Sequence, residues 1–490
     1  MQLIGNALQV DKCNLHNVNE VYYGVETSES ISKELSEYFT FYVPGYKFMP
    51  AYKMKVWDGK IRLYDQRKHT IYKGLLKYIE NFCKERDYII EYEDETNEVT
   101  SDDIVSFVNE LELNIKPRDY QIEAVRQCIE TNRTLLLSPT GSGKSLIIYL
   151  LIRFYESRTL LIVPTISLTK QMYTDFESYD PSWNASKKCH IVVQGKEKKS
   201  DRQVVISTWQ SIYKLPPSYF NSFDVVIGDE AHLYKAKSLT SILNKMIHTK
   251  YRFGTTGTLD DTQTHQLVLE GMFGRLFNTT STKQLIDADY LAKFSIKAII
   301  LRYDEDTCLE VKDMKYQDEM DFIVNHSKRN NFIRNLAIDQ KGNTLLLFQY
   351  VEKHGKILYN LISEKVDSDR KVFFVHGGVD GDQREEIRRI TEQEGDAIIV
   401  ASYGTFSTGI NIRNLHNIIF ASPSKSKIRN LQSIGRGLRK GDNKKEATLF
   451  DIADDFRYKS HQNYTIQHFN ERIKQYNEQD FKYSIFNIKI

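Results

Sequence analysis

Residues 134–154 read TLLLSPTGSGKSLIIYLLIRF, and this stretch decides the fold. A short leucine run, Thr134–Leu137, leads into a glycine-bearing loop, Ser138–Ser145, and an apolar helical run, Leu146–Phe154, follows. Strand, loop and helix in that order put backbone N–H groups at a helix N-terminus, where they face a phosphate. Gly141 and Gly143 permit the curl of the loop. Pro139, Thr140 and Ser142 complete the cradle. Lys144 is placed to neutralise β- and γ-phosphates, and the Ser145 hydroxyl to ligate Mg2+. Ser138 stands where a first glycine is usual. ATP and Mg2+ are therefore the expected nucleotide and metal.

Outward from the loop, short apolar runs alternate with amphipathic stretches. Five strands are expected at 134–137, 160–163, 204–206, 225–227 and 252–255, and five more at 344–348, 371–375, 397–400, 417–420 and 447–450. Buried strands separated by helices mark parallel sheets covered on both faces, so two such domains lie in tandem, with Leu276–Asn330 between them. The last thirty-five or so residues read as a helical tail.

Two further clusters carry chemistry. The apolar strand Val225–Ile227 leads into GDEAH, Gly228–His232. A carboxylate there holds the hydration shell of Mg2+ while its neighbour polarises the attacking water, so Asp229 is the expected metal residue and Glu230 the general base. His232 reads as a coupling residue and not as a ligand. Far downstream, QSIGRGLR places Gln432, Arg436 and Arg439 at spacings of four and three, on one helical side. Paired arginines of this kind act as fingers on a γ-phosphate, with a solvated basic helix as the bland alternative. Phosphate loop and arginine pair in one chain suggest a nucleotide held between two domains, whose hydrolysis moves one against the other.

These elements, in this order, resemble the superfamily 2 helicase core over roughly residues 115–455. The resemblance implies two tandem RecA-like domains. It makes Arg118 and Gln121, in PRDYQ, the adenine-reading segment, and places Gly409 at the nucleotide. It assigns backbone contacts with nucleic acid to Pro164, Thr165, Thr208, Trp209, His376, Ser402 and Thr408. Thr256-Gly257-Thr258 becomes the segment coupling ATP to nucleic acid. The box is DEAH and the arginine element begins with Gln432, which departs from the RNA-acting DEAD-box branch. With YKFMPAYKMKVWDGKIRLYD, Tyr46–Asp65, the chain is similar to the recombination and repair helicases of T-even-type bacteriophages. That likeness implies an ATP-dependent DNA helicase acting on branched DNA: Holliday junction branch migration, fork regression and RNA–DNA unwinding in R-loops, in phage recombination, repair and replication control.

Composition fits an ordinary globular protein: 490 residues, 41% hydrophobic, 27% charged, net charge +2. No apolar run reaches the length of a membrane helix and no signal peptide is readable, so a location in the cytoplasm, that of the infected host if phage-encoded, is expected. The five cysteines show no CxxC, and Cys189-His190 reads as structural. The charge is uneven. Pro44–Tyr78 carries nine Lys/Arg against Asp58 and Asp65, interleaved with seven aromatics, and Ile79–Leu113 carries twelve Asp/Glu.

Basic residues release counterions from phosphates and aromatics stack on exposed bases, which makes the first stretch a nucleic-acid surface. A hairpin turning at Asp58-Gly59 would put Lys53 and Lys55 on one strand face and Lys60 and Arg62 on another. The alternative is a half-buried sheet with solvated lysines. The expected α/β organisation is a small α+β nucleic-acid-binding domain with an acidic connector over 1–113, RecA-like domains over 114–285 and 286–455, and a helical extension over 456–490. A monomer in solution is expected. Competing readings are a double-strand DNA translocase, an RNA helicase, or a strand-annealing protein with an ATP switch.

Overall fold

The computed structural model describes residues 11–93, 95–235, 237–259, 262–405, 412, 414–424, 426–438, 444 and 446–490. The chain divides into two compact units, Met1–Ser138 with Gly143–Thr279, and Pro139–Ser142 with Thr280–Ile490.

The first unit opens with a small α+β body. Its strands are β1 (Lys12–Asn17), β2 (Tyr22–Thr27), β3 (Thr40–Tyr42), β4 (Lys60–Arg62), β5 (Tyr64–Asp65), β6 (Thr70–Tyr72) and β7 (Ile89–Glu91). Five of them form a mixed sheet ordered β5-β6-β2-β1-β7, and β3 pairs with β4. The helices Glu29–Tyr38 and Leu76–Lys84 bury Ile31, Leu35, Ile79 and Phe82 in its core, which also takes in Leu267 from farther along the chain. Charge ties the body down as well. Lys73, almost wholly buried, has its Nζ 3.1 Å from Glu95 and 3.5 Å from Glu20, and Glu20 also meets Arg133 at 3.2 Å.

The expected hairpin is not formed. Gly59 does turn, with φ +82°, but β4 pairs antiparallel with β3 and not with residues 53–57. Lys53 ends a four-residue helix, Pro50–Lys53, and Lys55 takes a left-handed φ of +57°. Proline at the first position favours a helix start. The backbone N–H of Val56 returns to Ala51, closing a compact loop where an extended strand was expected.

The parallel sheet of this unit has seven strands: β8 (Arg133–Leu137), β9 (Thr159–Val163), β10 (Cys189–Val192), β11 (Val204–Thr208), β12 (Val225–Asp229), β13 (Tyr251–Thr256) and β14 (Leu276–Asn278). Their order is β10-β11-β9-β12-β13-β8-β14, and every pairing is parallel. Strands β9, β11 and β12 are buried at every residue, the pattern of a sheet covered on both faces. The apolar run Leu146–Ile152 is buried throughout in the helix Lys144–Tyr155. Within the acidic stretch, the helix Ser101–Asn109 buries Ile104 in the same core.

The second unit holds β15 (Lys293–Arg302), β16 (Thr344–Phe348), β17 (Val372–Val375), β18 (Ile398–Ser402), β19 (Asn417–Phe420), β20 (Glu446–Asp455) and β21 (Tyr483–Lys489). The order is β17-β18-β16-β19-β20-β15-β21, again all parallel. All ten expected strands are present. The stretch read as lying between the two sets supplies β14 and β15, and the expected helical tail proves to be the helix Tyr464–Glu478 followed by β21, which completes the sheet. That helix is part of the core. Arg472 is buried against Asp451 at 2.8 Å, and the Tyr476 hydroxyl donates to Asp451 at 2.7 Å. Among the described residues no helix is long and apolar enough to cross a membrane.

Buried Glu319 anchors the start of that terminal helix. Its carboxylate accepts from Asn463 Nδ2 at 2.9 Å, the backbone N–H groups of Tyr464 and Thr465 at 2.9 and 2.8 Å, and the Thr465 hydroxyl at 2.7 Å. Removing an acceptor shared by buried donors costs about 2–4 kcal/mol. Glu319→Ala should lower the opening free energy of residues 464–478 by that amount in hydrogen–deuterium exchange. Unchanged protection would show that the helix is held by its apolar face alone.

Candidate functional site

In an all-parallel sheet the C-terminal strand ends lie along one edge, and the loops there carry the chemistry. In the first unit β8 ends at Leu137, before the phosphate loop, β9 ends before Pro164, and β11 ends at Thr208. β12 ends at Asp229 and β13 at Thr256. The topology thus gathers residues that lie far apart in the chain.

The loop has the backbone that its sequence demands. Gly141 and Gly143 take φ of +86° and +82°, and Gly143 caps the helix Lys144–Tyr155. A side chain at Gly143 would strain that backbone and put a Cβ 2.4 Å from Gln121 Nε2. Lys144 Nζ donates to the Ser138 carbonyl at 3.2 Å. Gln121, expected on a base edge, is buried with its amide on backbone. Its Oε1 accepts from Arg118 N at 2.9 Å and its Nε2 donates to Gly143 O at 3.3 Å. Arg118 in turn donates to the Tyr120 hydroxyl at 2.8 Å. Gln121, in the segment expected to read adenine, therefore holds the phosphate loop itself. Ser145 Oγ lies 2.7 Å from the Tyr179 hydroxyl.

The acidic pair is wired to β13. Thr255 Oγ1 donates to Asp229 Oδ1 at 2.8 Å. His232 Nδ1 lies 3.0 Å from Thr256 Oγ1 and 3.3 Å from Glu230 Oε2. Thr256 also accepts from Ser138 N at 2.8 Å through its carbonyl. Glu230 has a left-handed φ of +49°, uncommon for a residue with a side chain and of the sort found at functional turns. Burial, then the charge of Glu230, push the Asp229 carboxyl up to about 6, and Lys144 draws it back down. Two adjacent carboxylates, one of them buried, suit a divalent cation with oxygen ligands, so these residues fit Mg2+. Asp229 and Ser145 are the groups that would hold it.

The second-unit residues are placed unevenly. Gln432 and the backbone of Arg436 lie on one helix, Lys427–Gly437. Arg439, Thr408 and Gly409 lie outside the described residues. His376 follows β17, its ring 5.0 Å from Phe374, and Nδ1 accepts from Gly378 N at 3.2 Å. Ser402 ends β18 and is buried, its hydroxyl 2.8 Å from Thr405 Oγ1.

In the first unit Thr165 caps the helix Ile166–Tyr179, accepting from Leu168 N at 3.3 Å beside half-buried Pro164. Thr208 is buried with its hydroxyl on Ser211 at 2.9 Å, so its side chain is turned inward, and Trp209 begins the next short helix. In the N-terminal body Lys53, Lys55 and Arg62 are exposed and Lys60 half-buried, with Arg62 paired to Asp58. Thr255 and Tyr179 carry no motif that would single them out. Thr255 follows from knowing that β13 neighbours β12, whereas Tyr179 has no sequence signal.

The raised Asp229 carboxyl has a consequence for stability. Its folded value of about 6 lies above the ordinary 3.8. The stabilisation from holding the proton is therefore complete below pH 3.8 and lost as pH rises through 6, after which the buried charge is a cost. An amide in place of this carboxyl would stay neutral and still accept from Thr255. In EDTA, Asp229→Asn should match the parent below about pH 4 and exceed it above about pH 7 by up to about 3 kcal/mol. Parallel stability curves for the two proteins would show that Asp229 is not desolvated.

Residues 12–93 match the family described as DNA helicase UvsW, N-terminal. Residues 114–261 match the type III restriction enzyme res subunit family, and 327–441 the helicase conserved C-terminal domain. The chain is 35% identical to the ATP-dependent DNA helicase uvsW of Enterobacteria phage T4, over 98% of this chain and 99% of that protein. It is 27% identical to the DNA 3'-5' translocase XPB2 of Sulfurisphaera tokodaii, over 75% of this chain and 88% of that one. The crystal structure of T4 UvsW superposes with a TM-score of 0.52 at 33% identity, covering 98% of this chain and 99% of that one. End-to-end similarity at this identity, with a match to the N-terminal family and to both helicase families, means that the chain belongs to the UvsW family of ATP-dependent DNA helicases.

Proposed function

We propose that this helicase remodels branched DNA, migrating Holliday junctions, regressing forks and unwinding RNA–DNA hybrids in R-loops during phage recombination, repair and replication control. It would act as a monomer in the host cytoplasm. The observation that carries the reading is the N-terminal body. Its loop from Tyr42 to Trp57 contains three lysines and no acidic residue, and it stands on the unit that holds Gly143 and Lys144 of the phosphate loop. Such an added basic surface gives DNA arms outside the motor a place to bind, which supports a branched substrate.

In this reading ATP phosphates lie on the backbone N–H groups of residues 139–145, with Lys144 beside the β- and γ-phosphates. Bound Mg2+ shields phosphate charge. Glu230 takes the proton of the attacking water, and His232 with Thr256 carries the state of the acidic pair to the 256–258 segment. Arg436 and Arg439 bring positive charge to the γ-phosphate, and Gln432 and Gly409 border the same nucleotide. The residues Pro164, Thr165, Thr208, Trp209, His376, Ser402 and Thr408 follow a DNA backbone. The inward-turned hydroxyls of Thr208 and Ser402 leave that task to main-chain groups at those two positions. Likeness to a protein named a DNA 3'-5' translocase favours a second reading, movement along duplex without strand separation.

Lys144→Ala should reduce ATP hydrolysis by ~10³-fold or more and leave DNA affinity within about twofold. Turnover close to that of the parent would remove Lys144 from the site. Arg436→Ala should keep nucleotide binding and lose about 10³–10⁵ in rate, the worth of an arginine finger. Turnover close to that of the parent would remove the finger role from Arg436. The deciding measurement is ATPase stimulation by single strands, linear duplex, forks, four-way junctions and R-loops, run beside unwinding. Strong preference for branched substrates is expected. Equal stimulation by all of them refutes the branched-DNA reading, and stimulation by duplex without unwinding selects the translocase.

A further inference from the structure

The loop between β3 and β4 does something that its lysines alone do not explain. It exposes Phe48 at 80%, Val56 at 74% and Met54 at 67%, three large apolar side chains on one short segment. Single exposed apolar residues are ordinary, but several on one short loop mark an interaction site. With most of their surface in solvent, the fold gains little from them.

The loop beneath them is firmly built. Tyr42 stacks on Tyr46, with centroids 4.7 Å apart and planes 25° apart, and Tyr52 meets Tyr46 edge-on at 4.8 Å. Lys60 Nζ sits 4.9 Å above the Tyr42 ring. Trp57 Nε1 donates to Lys60 O at 2.9 Å, and Val43 N donates to Gly59 O at 2.8 Å. At Gly59 a Cβ would lie 2.3 Å from the Tyr46 ring, so the aromatic stack closes directly on the turn. Such packing holds the loop's outer side chains on a stable base.

Charge identifies what the apolar side chains meet. Lys47, Lys53 and Lys55 are exposed beside them, and a groove of about 560 Å³ runs along Lys53, Lys55, Val56 and Trp57. The acid that borders this groove, Asp58, is paired with Arg62. A loop that presents exposed apolar side chains among exposed lysines matches an end-on duplex, with stacked bases inside and phosphates outside. The interior of a linear duplex offers only phosphates there. A branch point exposes the face of a base pair.

We propose that Phe48, Met54 and Val56 form an apolar wedge that lies against the base pair exposed at a DNA branch point, with Lys47, Lys53 and Lys55 on the flanking phosphates. The proposal rests on the branched-DNA reading above and assigns it a contact with bases, beyond the phosphate contacts.

The test uses the full chain with Phe48→Ser, Met54→Ser and Val56→Ser combined, and Phe48→Ala alone as a milder change. Probes are a four-way junction and a linear duplex, each with 2-aminopurine either at the branch (or mid-duplex) or distant from it. The parent should raise fluorescence at the branch position alone. The triple variant should lose that rise and about tenfold of its preference for junction over duplex, within the range of base stacking. Its duplex affinity, salt slope and ATPase on linear DNA should stay within about twofold, and Phe48→Ala should fall between. Lys47→Ala/Lys53→Ala/Lys55→Ala should instead reduce the salt slope by up to about 3. Unaltered branch fluorescence and junction preference in both apolar variants would overturn the wedge. So would a parent dimer in sedimentation that the triple variant dissolves with junction preference intact, since the tip would then be a contact between copies. A parent whose ATPase ignores branched DNA but whose branch fluorescence rises would sink the motor reading and leave the wedge standing.

Discussion

The hydrogen bond from Thr255 to Asp229 is the constraint on which the site depends. Asp229 is a buried carboxylate that burial and Glu230 both disfavour, and it stays in place because β13 lies directly beside β12 and presents a hydroxyl at the right register. The next residue on β13, Thr256, reaches both ways, to His232 and to the first residue of the phosphate loop. One strand end therefore fixes the acidic pair and the loop against each other. A shift of one residue in the β12–β13 register would turn Thr255 to the opposite face and release both.

Much of the fold, unlike that bond, is legible in the sequence. The ten strands read from apolar runs all form, because strands buried on two faces need continuous apolar sequence and so announce themselves. The four strands of the parallel sheets that were missed fail that condition. β15 begins KFSIK with its first half largely exposed, β14 has three residues, β10 carries a half-buried histidine, and β21 is an edge strand with Ile485 and Phe486 about half exposed. Their strand character comes from hydrogen bonding to a neighbour, which no local pattern records.

The site shows the same division. Loop glycines, Lys144 and the acidic pair are legible because phosphate and metal chemistry restricts residue type at fixed spacing. Thr255 and Tyr179 reach the site only through which strands and helices lie side by side. The N-terminal stretch misled for a different reason. Alternating lysines around Asp58-Gly59 satisfy a hairpin template, but Pro50 and the left-handed Lys55 favour a compact loop, and β3 supplies β4 with a partner about twenty residues away. Local period lost to a nonlocal pairing.

That loop matters mechanically because of what carries it. The N-terminal body is joined to the first parallel sheet by charge as well as by apolar packing. Lys73 sits between Glu20 and Glu95, Glu20 reaches Arg133 at the first residue of β8, and Tyr78 donates to Glu270 at 2.6 Å. Buried ion pairs of this kind contribute little net stability, but breaking one leaves an uncompensated charge, so they oppose relative movement strongly. Gly74 adds a steric lock, since a Cβ there would lie 1.9 Å from the Glu270 carbonyl. The strand that Arg133 opens is the one that leads into the phosphate loop. The exposed tip and that strand are therefore parts of one body, and any motion that ATP imposes on that body is delivered to the tip without an intervening hinge.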